Sequence, residues 1–145
     1  MHIHPTPAIQ APTESTPRPT LRGGLLGTAA AVAATSCLYA LGNVGADVQV
    51  VTGWAPDGAD LRYGEVVATV AVCVLAGAGL LALLERRSAA ALRTWSIVAA
   101  SVAVLSALPL WRLEVDGGSK LWLTAMHLAT GACAIAAQRA THHRP

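Results

Sequence analysis

Four long apolar runs alternate with polar segments along the chain, at residues 24–41, 66–84, 94–111 and 121–137. None of these runs contains Asp, Glu, Lys or Arg. Each has roughly 17–19 residues, close to the length that a helix needs to cross a ~30 Å hydrocarbon core. Because backbone groups in lipid must be hydrogen-bonded within their own segment, the pattern predicts four transmembrane helices.

The segments between the runs predict the fold class and the domain organisation. The second and third polar gaps are short, so neighbouring helices should be antiparallel, which gives an all-α, up-down four-helix transmembrane bundle. We expect a membrane domain at residues 23–139, between a disordered Pro- and Thr-rich tail at 1–22 and a short tail at 140–145. The composition agrees, since 12% of the residues are charged and soluble domains average about 25%.

The basic residues predict the orientation. Seven of the ten lie before the first run, between the second and third, or after the fourth: Arg18, Arg22, Arg86, Arg87, Arg93, Arg139 and Arg144. Basic residues near helix ends stay on the cytoplasmic side. We therefore expect a plasma membrane protein with both termini in the cytoplasm, with residues 42–64 and 112–120 outside. Most Trp and Tyr residues map to the outer boundary, and Trp95 maps to the inner one.

Three segments allow a second interpretation. The first run could be a signal peptide, or residues 34–37 a lipoprotein cleavage box, although its apolar core is long for a signal. The outer segment 42–64 could be a surface for a partner, or only a connector. His2 and His4 could suggest a metal site, but two histidines in a tail without a cysteine or carboxylate cluster favour no metal.

Small residues spaced about four apart predict how the helices pack. Lipid supplies no hydrophobic drive for helix association, so close approach of small side chains must supply the contacts. The predicted stripes, from the first helix to the fourth, are Gly27, Ala31 and Thr35; Thr69, Cys73 and Gly77; Ala99, Ala103 and Ala107; and His127, Gly131 and Ala134.

His127 is the most informative polar residue inside the predicted spans, because a polar side chain at that depth is costly and suggests a function. Counting 1.5 Å per residue puts four further polar side chains at a similar depth: Ser36, Thr69, Cys73 and Ser106. We interpret the five as the lining of a small polar cavity in the outer half of the bundle. In the alternative, His127 makes one or two interhelical hydrogen bonds that fix the register.

Pro109 predicts a kink near the outer end of the third helix. Its missing N–H frees the carbonyl of Leu105, and Ser106 is the expected hydrogen-bond donor to such a carbonyl. The three cysteines lie in different helices at different depths and are expected to be small, unpaired core residues. No set of residues predicts a metal or another cofactor.

Several short motifs resemble a known family. They are Leu-Glu-Arg-Arg at 84–87, Leu-Ser-Ala-Leu-Pro at 105–109, Lys-Leu at 120–121 and Met-His-Leu at 126–128. The chain resembles actinobacterial four-helix integral membrane proteins that are grouped only as a domain of unknown function, over about residues 21–139. This resemblance implies the same topology, no assigned activity, and family-like positions at Ser106, Pro109 and His127.

Taken together, these features favour a structural, interaction or assembly protein of the membrane. The expected partners are the lipid bilayer and either a second copy or another membrane protein, and the net charge of +2 gives no reason to expect nucleic acid. The alternative is a small transporter or channel with a polar site around His127. An intramembrane hydrolase using Ser106 and His127 is not favoured, because no glycine motif or oxyanion-hole signature surrounds the serine.

Overall fold

The computed structural model describes residues 19–45, 62–112 and 117–142, and in these ranges the chain forms four α-helices and one 3-10 helix. The α-helices are α1 (Pro19–Gly45), α2 (Tyr63–Glu85), α3 (Ala91–Ala107) and α4 (Gly117–His142), and the 3-10 helix is Leu108–Arg112. The described residues include no strand, which confirms the predicted all-α class. The histidines of the tail, residues 46–61 of the outer segment and the turn residues 113–116 lie outside the described ranges.

All four helices are long and apolar enough to cross a membrane. Their spans are Pro19–Gly42, Tyr63–Glu85, Ala91–Arg112 and Gly117–His142. Large apolar side chains, such as Leu25, Val72 and Val102, are exposed on their outer faces. Water would make this much apolar surface costly, whereas lipid does not. The four helices thus suggest a multi-pass membrane protein.

The helices extend beyond the predicted apolar runs at both ends of the chain. α1 begins at Pro19, within the segment expected to be tail, because proline suits the first helical position, where its missing N–H costs nothing. α4 continues to His142, although a tail was expected from residue 140. The imidazole of His142 lies 2.7 Å from the carbonyl of Gln138 and caps this last turn.

The contact between α1 and α4 is built on small residues. A methyl group added at Gly27 would lie 3.3 Å from the Cβ of Ala137 and 3.4 Å from the Cα of Ala134. Farther along α1, the hydroxyl of Thr35 lies 3.2 Å from that of Thr130. The predicted stripe of Gly27, Ala31 and Thr35 is buried here, as close packing of helices in lipid requires.

α2 buries a different face from the one predicted. Its buried residues are Val70, Val74, Ala78 and Leu81, whereas Thr69 and Cys73 of the predicted stripe are exposed. Neighbouring positions differ by about 100° around a helix, so a stripe shifted by one residue turns to another side. The buried valine and leucine side chains are larger than those of Thr69 and Cys73 and fill more of the core. The prediction considered only small residues and therefore chose the wrong face.

α3 contacts both neighbouring helices. Trp95 is 3% exposed, and its indole N–H donates a 2.7 Å hydrogen bond to the carbonyl of Gly77 on α2. Its ring is therefore turned into the core, because its N–H finds a partner inside the protein. On the other side, a methyl group at Gly131 of α4 would lie 2.7 Å from the Cβ of Ala103.

Pro109 lies in the 3-10 helix that follows α3. The carbonyl of Leu105, which lacks a donor from Pro109, accepts the N–H of Leu108 instead. The Ser106 hydroxyl donates to the carbonyl of Ala103 at 3.1 Å. The donor to the Leu105 carbonyl is therefore a backbone N–H rather than the Ser106 hydroxyl, as tightening from α to 3-10 geometry allows.

Candidate functional site: a polar ring at the arginine-bearing end

The structure does not bring the five residues of the predicted cavity together. The ring of His127 lies 2.9 Å from the carbonyl of Leu123, one turn earlier in its own helix. Thr69 and Cys73 are on the exposed side of α2, and Ser106 is exposed on α3. None of the hydrogen bonds among the described residues joins two of the five.

Ser36 contacts a neighbouring helix, but not one of the predicted partners. Its hydroxyl lies 2.8 Å from the hydroxyl of Tyr63 at the start of α2 and also donates to the carbonyl of Val32 at 2.7 Å. The rings of Tyr39 and Tyr63 lie 5.5 Å apart. These contacts join α1 and α2 at the end of the bundle where Tyr63 begins α2.

A closed set of hydrogen bonds lies at the opposite end, where most of the arginines are found. We call it the polar ring, and it consists of Thr20, Glu85, Gln138 and His142. The Thr20 hydroxyl donates to Oε2 of Glu85 at 2.6 Å, and Nε2 of His142 lies 2.7 Å from Oε1 of the same carboxylate. Nδ1 of His142 faces the Gln138 carbonyl at 2.7 Å, and the Gln138 amide donates to the Thr20 carbonyl at 3.2 Å.

The two acceptors around His142 determine which form of its ring completes the set. A carboxylate oxygen and a backbone carbonyl oxygen both accept hydrogen bonds, and a neutral imidazole carries one N–H. Only the doubly protonated ring can donate to both. Its positive charge then lies at the carboxyl end of α4, where the helix dipole favours a cation.

Glu85 is stabilised by a helix other than its own. It ends α2, where the helix dipole opposes a negative charge. However, its carboxylate accepts a hydrogen bond from Thr20 in the first turn of α1, and that turn contains no acidic residue of its own. The positive end of α1 and the imidazole of His142 therefore compensate the carboxylate together, and the ring joins three helices.

Gln138 is the most deeply buried member of the ring, at 2% exposure. Its Oε1 is buried and has no conventional hydrogen-bond donor among the described residues. A methyl group at Gly23 would lie only 2.3 Å from this oxygen, so the amide packs directly against the glycine backbone. A weak Cα–H···O contact from Gly23 is the interaction that this approach allows, and any larger residue at position 23 would collide with Gln138.

Arg139 is held beside the ring, on the α3 side of α4. Its Nε donates to the hydroxyl of Ser96 at 3.3 Å, and Ser96 is itself buried at 3% exposure. The rest of the guanidinium faces outward, since Arg139 is exposed. The hydrogen bond fixes the base of this side chain between two helices.

The arrangement can hold charge and fix the ends of three helices. No group of three His, Cys, Asp or Glu residues that could hold a metal occurs within the described ranges. Cys37, Cys73 and Cys133 are free thiols, and the first two are exposed on the outer faces of their helices rather than in the core. Cys133 packs against the core, as predicted, whereas Cys37 and Cys73 are not the core residues that were predicted.

Two features of the sequence point to the polar ring. Gln138 continues the spacing of the small-residue stripe on α4, four residues after Ala134 and seven after Gly131. A polar residue on a face that packs against another helix is a candidate for a buried hydrogen bond. Glu85 is also the only acidic residue, apart from Glu14, among the segments rich in arginine.

Comparison with known proteins places the chain in a family. No curated protein and no solved structure matches it significantly. Residues 15–144 match the model of a family that is described as a family of unknown function, DUF6069. The matched residues include all four helices and every member of the polar ring. The match confirms the prediction that the chain belongs to a family without an assigned activity. The chain belongs to this family of unknown function.

Proposed function

We propose that the protein is an assembly subunit of the plasma membrane without enzymatic activity. It crosses the bilayer four times as an antiparallel up-down bundle, with both termini in the cytoplasm, and it binds a second copy of itself through one side of the bundle. The partner surface is the exposed side of α2 and α3, which we call the α2–α3 face and which includes Thr69, Cys73, Ala76 and Ser101.

The order of contacts supports the antiparallel arrangement. Along α1, Gly23 lies against Gln138, Gly27 against Ala134, and Gly42 against Trp122. Positions on α4 thus fall as positions on α1 rise. The distribution of arginine supports the orientation, because basic residues near helix ends stay on the cytoplasmic side.

The single observation that carries the assembly proposal is how little of α2 is covered by its own chain. Only 11% of its most apolar window is buried, against 22% in α1 and in α4. Its exposed side carries the small residues Thr69, Cys73 and Ala76. In lipid, helices associate where small side chains let their backbones approach closely, so this side fits a helix of another subunit.

Two hydroxyl groups on the α2–α3 face give a second reason. Neither Thr69 nor Ser101 makes a hydrogen bond to another described residue, whereas Ser36, Thr124 and Thr130 each donate to a carbonyl of their own helix. The hydrogen bond from Trp95 to Gly77 marks one level on both helices. At 1.5 Å per residue, Thr69 lies about 12 Å from Gly77 along α2, and Ser101 lies about 9 Å from Trp95 along α3. They lie at similar depth, where hydroxyls serve as interhelical hydrogen-bond partners.

The native cysteines offer a direct test by oxidative crosslinking in membranes. Cys37 and Cys73 are both exposed, on α1 and α2 respectively, so variants that keep one cysteine each form a matched pair. The chain with Cys73 alone should form a disulfide-linked dimer, and the chain with Cys37 alone should stay monomeric. Equal crosslinking of both variants, or none in either at native expression, contradicts the proposed surface.

A transporter with a polar site around His127 has less support. That alternative needs polar groups from several helices at one depth, and the His127 ring bonds to the carbonyl of Leu123 in its own helix. Hydrolysis has equally little support, because the Ser106 hydroxyl bonds to Ala103 rather than to His127. Neither residue has the neighbour that its proposed chemistry requires.

A further inference from the structure

We propose that Arg93 on α3 and Arg139 on α4 together bind the phosphate of an anionic phospholipid headgroup. The inference goes beyond self-association, since it concerns a lipid at the end of the bundle and not the α2–α3 face. The ligand class is a phosphodiester at the surface of the membrane, as in phosphatidylglycerol.

The first argument is an excess of unpaired positive charge. The arginines at this end that fall within the described ranges are all exposed: Arg22, Arg86, Arg87, Arg93 and Arg139. The described part of the chain has one salt bridge, and it joins Glu85 to His142. Glu85 is therefore already occupied, and no described carboxylate lies within 4.0 Å of any of these guanidinium groups.

The second argument is that the local structure holds these arginines in place. The turn between α2 and α3 is fixed by backbone hydrogen bonds from Arg87 and Ser88 to the carbonyl of Leu84, at 2.9 and 3.0 Å. The Ser88 hydroxyl accepts a further bond from the N–H of Ala90 at 3.1 Å. Arg86 and Arg87 are therefore carried by a defined turn rather than a loose loop.

The third argument is the position of Arg93 relative to Arg139. Ser96 of α3 accepts a hydrogen bond from Nε of Arg139 on α4, and Arg93 lies three residues before Ser96 on α3. Residues three apart are neighbours on a helix surface, so Arg93 is carried on the part of α3 that Arg139 contacts. Guanidinium groups bind phosphate oxygens through two parallel hydrogen bonds, so two arginines carried in this way suit one phosphate.

The position of the two arginines selects the source of the phosphate. Arg93 is the third residue of α3, and Arg139 lies in the last turn of α4, so both are at the ends of apolar spans, where lipid headgroups lie. Basic groups between transmembrane helices at this level bind anionic lipids.

Native mass spectrometry of the protein in mild detergent tests the proposal. It compares the binding of phosphatidylglycerol with that of the neutral lipid phosphatidylcholine. We expect the wild type to retain phosphatidylglycerol preferentially. Each arginine near a membrane surface contributes about fivefold to such binding, so the double variant Arg93→Gln, Arg139→Gln should bind about 25-fold more weakly. The matched control, Arg62→Gln with Arg112→Gln, alters two exposed arginines at the other end and should bind as the wild type does.

Three results would overturn the proposal. They are equal retention of both lipids by the wild type, an equal loss in the control variant, and displacement of the lipid by inorganic phosphate at millimolar concentration. If the double variant does not fold, as judged by helical circular dichroism, the single variants Arg93→Gln and Arg139→Gln replace it. Each should bind phosphatidylglycerol about fivefold more weakly than the wild type, and wild-type binding by both single variants with intact helix content also contradicts the site.

Discussion

Glu85 shows how a charge at the end of an apolar helix is stabilised by residues distant in the sequence. Its two oxygens are bound by Thr20, 65 residues earlier, and by His142, 57 residues later. Three helix ends are therefore joined at one carboxylate. The contact links the first turn of α1 to the last turn of α4. Its loss should therefore loosen these two turns before it affects the centre of the bundle.

A double-mutant cycle measures the pair at the centre of this contact. The side chains of His142 and Glu85 are 17% and 34% exposed, and partly exposed ion pairs of this kind contribute about 0.3–1 kcal/mol. We expect Glu85→Gln and His142→Gln to lower the free energy of unfolding in detergent, with a coupling in that range. The matched control, Arg86→Gln, alters a neighbouring exposed charge that has no described partner. If the effects of Glu85→Gln and His142→Gln on the free energy of unfolding are additive, the pair contributes nothing.

The residue scale is also where the sequence predicted least. It identified His127, Ser36, Thr69, Cys73 and Ser106 from depth alone. However, depth along a helix does not determine the direction of a side chain, and four of the five are exposed or bonded to their own backbone. The polar ring was missed for the opposite reason, since its members lie at helix ends where polar residues are expected and attract no notice.

At the scale of the helices, glycine decides which pairs pack closely. A methyl group added at Gly131 would lie only 2.7 Å from the Cβ of Ala103. A methyl group added at Gly79 would have no atom within 4 Å. Both glycines are inside helices, so replacing either by alanine carries the same gain in helix propensity, about 0.5–1 kcal/mol. They differ in the space that the neighbouring helix leaves.

We therefore expect Gly131→Ala to destabilise the bundle and Gly79→Ala to leave it unchanged or more stable. Overpacking of this kind costs about 1–3 kcal/mol, so the two variants should differ clearly in their unfolding midpoints in detergent. Circular dichroism during denaturation with sodium dodecyl sulfate is the measurement. Equal midpoints would mean that α3 and α4 do not approach as closely at Gly131 as the structure has them.

The existence and type of the helices could be predicted from the sequence, but their ends and contact faces only in part. Length and the lack of charge predicted four helices, because lipid leaves a spanning segment no other structure. On α1, the most favourable face was also the richest in small residues, so Gly27, Ala31 and Thr35 were found. α2 is apolar on every side, so nothing in its sequence favoured the valine face over Thr69 and Cys73.

At the scale of the whole molecule, the two ends of the bundle differ in character. One end carries the polar ring and five exposed arginines, and the other carries the contact of Ser36 with Tyr63. This asymmetry is what a membrane protein with a fixed orientation requires, since retention of arginine on the cytoplasmic side sets the direction of insertion. The lipid site and the orientation thus rest on the same residues, while the α2–α3 face is independent of both.

Cysteine labelling of intact cells tests the central claim, four crossings with the arginine-bearing end inside, most directly. In a chain whose native cysteines are replaced by alanine, Ser88→Cys marks the exposed turn between α2 and α3, and Arg112→Cys marks the end of the 3-10 helix that follows α3. A maleimide that cannot cross membranes should label Arg112→Cys in intact cells and Ser88→Cys only after permeabilisation. Labelling of both positions in intact cells, or the reverse order, would contradict the account.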